Sequence, residues 1–110
     1  MELQRVAITG VSAICGLGHN MQEVWDNALK GQSGISMIEN ADPEMWPVQF
    51  AGQVKNFDVA DDIIDPKEKK RFDTFIHYAL HAAHEAVTKS GLLDSGYDPL
   101  MMGSVMGVGL

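Results

Sequence analysis

The stretch PKEKKRFDTFIHYALHAAHEAVTKSG, residues 66–91, decides the fold class. Pro66 suits a first helical position, where its missing N–H is not needed. Phe72, Phe75, Ile76, Ala79, Leu80, Ala83, Ala86 and Val87 then recur at three- and four-residue spacing, and Gly91 ends the run. The spacing predicts one long helix from Pro66 to Gly91, with one face on a core. Upstream, RVAITG is a short apolar, β-branched run closed by a threonine and a glycine, and it predicts a buried strand at about 3–9. NMQEVWDNALKG follows, with Asn20 as N-cap, Glu23 three residues on and Gly31 as the stop, and predicts a short helix. Its apolar face would carry Val24, Trp25, Ala28 and Leu29.

Residues 31–65 read as a long ordered connection, interrupted by Pro43 and Pro47, in which only QFAGQV looks strand-like. After Pro99 a β pattern restarts with Gly103, Gly107 and Gly109 in or beside it, as where another group comes close to the backbone. The order strand, helix, connection, long helix, strand is that of an α/β protein with parallel strands. Such a sheet needs both faces covered. Two main strands with nothing after the second do not provide this, so residues 1–110 are expected to be the first part of a larger fold.

Composition narrows the function. The chain has 110 residues, 45% of them hydrophobic and 7% aromatic, and reads as globular. A formal net charge of -7 argues against nucleic acid, for which affinity is built from cationic contacts. No apolar run is long enough to span a membrane, and the N-terminus lacks the pattern of a secretory signal. With Cys15 as the single cysteine, no internal disulfide forms; a cytoplasmic location is expected.

Three motifs invite chemistry. TGVSAICGLG, residues 9–18, resembles the cofactor turn of short-chain dehydrogenases, but Gly16 and Gly18 fall two residues late, and no acidic residue ends a second strand about twenty residues on. Cys15 lacks an activating neighbour: His19 lies in a loop and Asn20 holds the cap, so an unreactive thiol is expected. His77, His81 and His84 fall within an arc of about 60° opposite the apolar stripe. They could face Zn²⁺, but only Glu85 is near enough to complete a site and it is rotated away, so a solvated or partner-facing polar surface is expected.

The basic cluster is a different matter. Four of the eight Lys and Arg residues, Lys67, Lys69, Lys70 and Arg71, fall within five positions. On a helix starting at Pro66, Lys67, Lys70 and Arg71 share about 100° of arc and Lys69 points away. Charge runs are commonly solvated surface, and Glu68 and Asp73 offset this one. Cations at a helix start nevertheless oppose the helix dipole, which points to an external acidic partner.

Read together, RVAITGVSAICGLGHNMQEVWDNALKGQSGI, FAGQVKNFDV, KEKKRFDTFIHYALHAAHEAV and GSVMGVGL resemble the N-terminal quarter of a β-ketoacyl-acyl carrier protein synthase, closest to the elongating synthase II type. The family segments run V-V-V-T-G-x-G-x-x-x-P-L-G-N, G-x-S-G-I, F-A-G-x-V, R-K-E-x-R-R-x-D-x-F-x-Q-Y-A and G-x-x-x-G-S-G-I. Cys15 and Gly16 depart from the proline region of the first loop, His77 replaces a glutamine, and Val108 replaces a serine.

The resemblance implies a thiolase-type five-layer αβαβα fold, a homodimer, no cofactor and no metal. The implied reaction is fatty acid elongation: a cysteine thiolate takes the acyl group as a thioester, and malonyl-carrier loses CO₂ to give the carbanion that attacks it. The nucleophile and its two histidine partners belong to motifs outside residues 1–110, so no catalytic residue is assigned, and neither Cys15 nor the histidines of the long helix match them. By position, Lys67, Lys70 and Arg71 would dock the acidic acyl carrier protein, and Leu110, with Val108 nearby, would stand beside the acyl pocket. The other readings are a non-nucleophilic chain-length-factor-like partner, a stand-alone protein-binding module and a nucleotide-dependent oxidoreductase.

Overall fold

The computed structural model describes residues 3–39, 41–42 and 44–109. The first regular element is helix α1, Met21–Leu29. The Asn20 side chain accepts a hydrogen bond from Glu23 N, and Glu23 reaches back to His19 N at 2.8 Å, so two N–H groups at the helix start are satisfied. The His19 N–H also holds the Glu23 carboxyl below its usual range. Past the C-cap Lys30, Gly31 turns left-handed at φ 68°, a conformation glycine adopts without a Cβ penalty.

Two short strands follow, β1 Ile35–Met37 and β2 Phe50–Gly52. They pair antiparallel, with Ile35 opposite Gly52, Ser36 opposite Ala51 and Met37 opposite Phe50. The QFAGQV expectation is met at β2, whereas its partner β1 lies in the stretch expected to be a connection. The parallel strands expected at 3–9 and after Pro99 are not formed among the described residues. Leu3–Thr9 is extended and exposed, with Leu3 at 86% and Val6 at 90%, and residues 103–109 are exposed as well. A strand is stabilised only when its N–H and C=O groups meet a neighbour's, and neither segment has one.

The long helix expected from Pro66 is two helices. Helix α2, Pro66–Lys69, ends at the C-cap Lys70; helix α3, Thr74–Ser90, begins after Asp73. Asp73 is extended at φ -66°, ψ 153°, and its carbonyl accepts from Ile76 N, which restarts the helical ladder. Gly91 closes α3 in the left-handed conformation, as expected. Two 3₁₀ turns, Leu92–Asp94 and Pro99–Met101, lead to the final segment.

The polar side of α3 packs as well as the apolar one. Phe57 makes edge-to-face contacts with His19, Tyr78 and His81, with ring centroids 5.2–5.3 Å apart. His81 Nε2 donates to His19 O at 2.9 Å, His19 Nε2 donates to Lys55 O at 2.8 Å, and His77 Nε2 donates to Lys69 O at 3.1 Å. Where a solvated or partner-facing polar surface was expected, His77 and His81 are half-buried and donate to backbone carbonyls within the chain; of the three only His84 is exposed. The wheel placed them correctly opposite the apolar stripe, but the 55–57 segment covers that side. Of the stripe, Phe72, Phe75 and Leu80 stay exposed, Phe75 at 57%, whereas Ile76, Ala79, Ala83, Ala86 and Val87 are half-buried.

Glu85, set aside in the sequence as rotated away, joins three segments. Its carboxylate accepts from Ser12 Oγ of the first loop, from Lys89 Nζ and, at 3.4 Å, from Met21 N at the start of α1. Burial, the largest influence, raises the carboxyl's pKa, but Lys89, Ser12 and Met21 N together outweigh it and hold the group below its ordinary value of 4.5. A carboxyl depressed on folding stabilises above its unfolded pKa, and this contribution fades as the pH falls through the folded value. Glu85→Gln is expected to lower the unfolding free energy by about 1–2 kcal/mol at pH 7. Urea titrations at pH 7 and pH 4 check this: the gap between variant and parent narrows toward pH 4.

Among the described residues only Val59 and Ile64 are buried, at 0% and 5% exposure. The radius of gyration is 17.6 Å, against about 13 Å for a compact chain of this length. These residues do not seal a core of their own.

Candidate functional site

The cationic turn is built from α2 and the residues that leave it. The Asp65 side chain caps α2 by accepting from Lys67 N at 2.8 Å, and Pro66 fills the first helical position. Lys70 keeps helical angles at the C-cap, and Arg71 N closes the turn onto Glu68 O. Helix α2 stops at Lys69, so the wheel drawn from Pro66 does not by itself place Arg71. What the structure provides is a sorting by burial and partner. Lys67, Lys70 and Arg71 are exposed, while the Lys69 side chain is only 15% exposed.

Lys69 is turned inward onto the preceding loop. Its Nζ lies 2.7 Å from Asp61 Oδ1 and 3.1 Å from Asp58 Oδ1, and it donates to the Val59 carbonyl. The Asp61 hydrogen bond, with Asp58 behind it, raises the Lys69 pKa against the opposing effect of burial. The ammonium therefore stays charged throughout the neutral range. Arg71 pairs with Glu68 at 2.8 Å across exposed surface, a contact of about 0.2–1 kcal/mol that exchanges readily. Lys67 and Lys70 make no ion pair among the described residues.

A second feature lies on the open side of α3. Phe75, Ile76, Ala79 and Leu80 face the 106–109 segment across an apolar cavity of about 460 Å³. Val108 lines it; Leu110, the other residue singled out in the sequence, lies outside the described residues. Gly107 and Gly109 contribute backbone without side chains there.

The glycines of the first loop are used in packing. A Cβ on Gly10 would strike the Ala86 carbonyl oxygen of α3, one on Gly16 the Gly34 carbonyl oxygen, and one on Gly18 would lie 2.5 Å from Glu23 Cβ. Cys15 and Gly18 exchange backbone hydrogen bonds of 3.0 and 3.1 Å. This loop's glycines let α1, α3 and the β1 approach meet. Among the described residues no three or more His, Cys, Asp or Glu side chains gather in a group that could hold a metal ion.

The family model for the beta-ketoacyl synthase N-terminal domain matches residues 3–110. The chain belongs to this family. It is 45% identical over 89 residues to 3-oxoacyl-[acyl-carrier-protein] synthase 2 of Staphylococcus aureus (strain COL), covering 81% of this chain and 21% of that protein. It is 34% identical over 110 residues to 3-oxoacyl-[acyl-carrier-protein] synthase 2 of Synechocystis sp., covering 100% of this chain and 26% of that protein. The chain thus spans about a fifth to a quarter of the length of these relatives. Ketoacyl-synthase membership implies a thiolase-type fold, of which the described residues contribute the helices and a two-stranded sheet. No described helix is long and apolar enough to cross a membrane.

Sequence reasoning singled out Lys67, Lys70 and Arg71, which are exposed, and Val108, which lines the apolar cavity, but gave no role to the residues that hold the turn in place. Asp58 and Asp61 drew no role from the sequence, and Glu85 was set aside as rotated away from the histidines. The available signal was local: Asp58 and Asp61 precede the cluster by few enough residues for a turn to bring them onto Lys69.

Proposed function

We propose that residues 1–110 form the N-terminal segment of a cytoplasmic 3-oxoacyl-acyl carrier protein synthase. This enzyme catalyses decarboxylative Claisen condensation of an acyl thioester with malonyl-carrier in fatty acid elongation. The observation that carries the reading is the match to the ketoacyl-synthase family over residues 3–110. In the complete enzyme the remaining chain and a second subunit cover the open apolar faces and complete a five-layer αβαβα fold. The nucleophile and its histidine partners come from that remaining chain.

Within this reading, Lys67, Lys70 and Arg71 dock the acyl carrier protein. The whole segment is acidic, so the cations act as a local field that steers and orients an acidic partner, not as a general attraction. Helix α3 and the 106–109 segment form part of the acyl pocket. Their apolar cavity excludes water from a fatty chain, and glycines at 107 and 109 leave the backbone clear of it. Val108 lines the pocket and Leu110 gates it.

The test supplies the complete polypeptide with acyl-carrier and malonyl-carrier. Formation of 3-oxoacyl-carrier with stoichiometric release of CO₂ is expected, and no added nucleotide is required. Absence of product from folded protein, or a reaction that depends on NADPH, would overturn the assignment.

A further inference from the structure

The cationic turn carries acidic residues that a docking surface for an anionic partner should avoid. Asp58, Asp61, Asp65 and Glu68 all lie within the eleven residues before Lys69. Each has an internal partner: Asp65 caps α2, Glu68 pairs with Arg71, and Asp58 and Asp61 hold Lys69. A four-residue helix has almost no ladder of its own, since nucleating a turn fixes several residues for one bond. Its position must come from outside.

Two contacts converge on Lys69 from opposite directions. Its side chain reaches back to Asp58, Asp61 and the Val59 carbonyl; its own carbonyl accepts from His77 Nε2 of α3. Val59 is the most deeply buried side chain among the described residues, so the loop Lys69 grips is anchored. We propose that the Lys69 bridge to Asp58 and Asp61 is a positioning device. It fixes the docking turn against the 58–61 loop so that Lys67, Lys70 and Arg71 are presented together, and Lys69 itself contributes no docking charge. The inference rests on the docking role assigned above.

Simple electrostatics and positioning predict opposite signs for one variant. Removing two negative charges next to a cationic patch strengthens attraction for an acidic carrier; releasing the tether weakens docking. Steady-state kinetics of the complete enzyme with acyl-carrier and with acyl-pantetheine separate the two. Asp58→Asn with Asp61→Asn is expected to raise KM for the carrier substrate about threefold, with kcat and the pantetheine reaction unchanged. Lys69→Met should act in the same direction and Lys69→Arg should retain nearly parental KM, because a guanidinium can still bridge the two carboxylates. Both aspartates are exposed, at 83% and 71%, so their replacement leaves the buried residues in place. An unchanged or lowered carrier KM in the double variant overturns the tether. Lys67→Glu, measured alongside, identifies the other failure: if it too leaves carrier KM unchanged, the docking role falls and the tether with it. If Lys67→Glu raises KM while the double variant does not, the tether alone is wrong.

Discussion

Lys67→Glu combined with Arg71→Glu in the complete enzyme is expected to lower kcat/KM for acyl-carrier substrates about tenfold or more, while acyl-pantetheine is turned over as before. Two exposed cations become anions, so each site loses an attraction of about 0.2–1 kcal/mol and gains a repulsion of similar size. Both effects act on encounter and orientation, and are therefore confined to a substrate that arrives on an acidic protein. The Arg71 side chain is available for this because its pair with Glu68 is exposed and easily exchanged. Lys69→Glu is not an equivalent change, since it would place a third carboxylate against Asp58 and Asp61 and dislocate the turn. Equal losses on carrier and pantetheine substrates would mean that the double variant damages the enzyme and not its docking.

The second large effect concerns Gly10. A side chain there meets the backbone of α3: the Ala86 carbonyl oxygen, then Ser90 N at 3.1 Å, with Ser90 Cβ at 2.8 Å. None of these is the movable end of a long side chain. Gly10→Ala should therefore cost about 2–3 kcal/mol, read as a lowered denaturant midpoint with an unchanged slope. Gly31→Ala is the informative contrast. Nothing lies within 4 Å of a Cβ at Gly31, and its cost comes only from the left-handed φ of 68°, about 1 kcal/mol. Similar costs at the two positions would show that the first loop does not press on α3.

What the sequence revealed follows the range of the interactions involved. Helix α1 was legible because its stops are local: Asn20 and Glu23 satisfy the first N–H groups, and Gly31 turns the chain. The body of α3 was legible for the same reason, through its apolar spacing and Gly91. The break between α2 and α3 was not, because Phe72 and Phe75 continue the apolar spacing straight across it. There the wheel describes which residues are apolar and says nothing of Asp73 adopting extended angles.

The strands failed in an instructive way. RVAITG has the residues of a buried strand, but ladder bonds depend on a distant neighbour, and none of the described residues supplies one. β1 failed conversely: Ile35–Met37 pairs with Phe50–Gly52 across an intervening segment that no local rule connects. Of the candidate site, the exposure of Lys67, Lys70 and Arg71 was legible from charge and spacing. The wheel turned Lys69 away from the other three cations, but its inward partners Asp58 and Asp61 were not legible, because a helical period says nothing about the loop before it.

Fluorescence anisotropy of a labelled acyl carrier protein, titrated with the complete enzyme at low and at physiological salt, bears most directly on the role of the cationic turn. The parent protein should bind the carrier, and Kd should rise with salt as the exposed charges are screened. The Lys67→Glu, Arg71→Glu variant should bind weakly at both. A Kd that is indifferent to salt, or that is the same for parent and variant, would contradict the account.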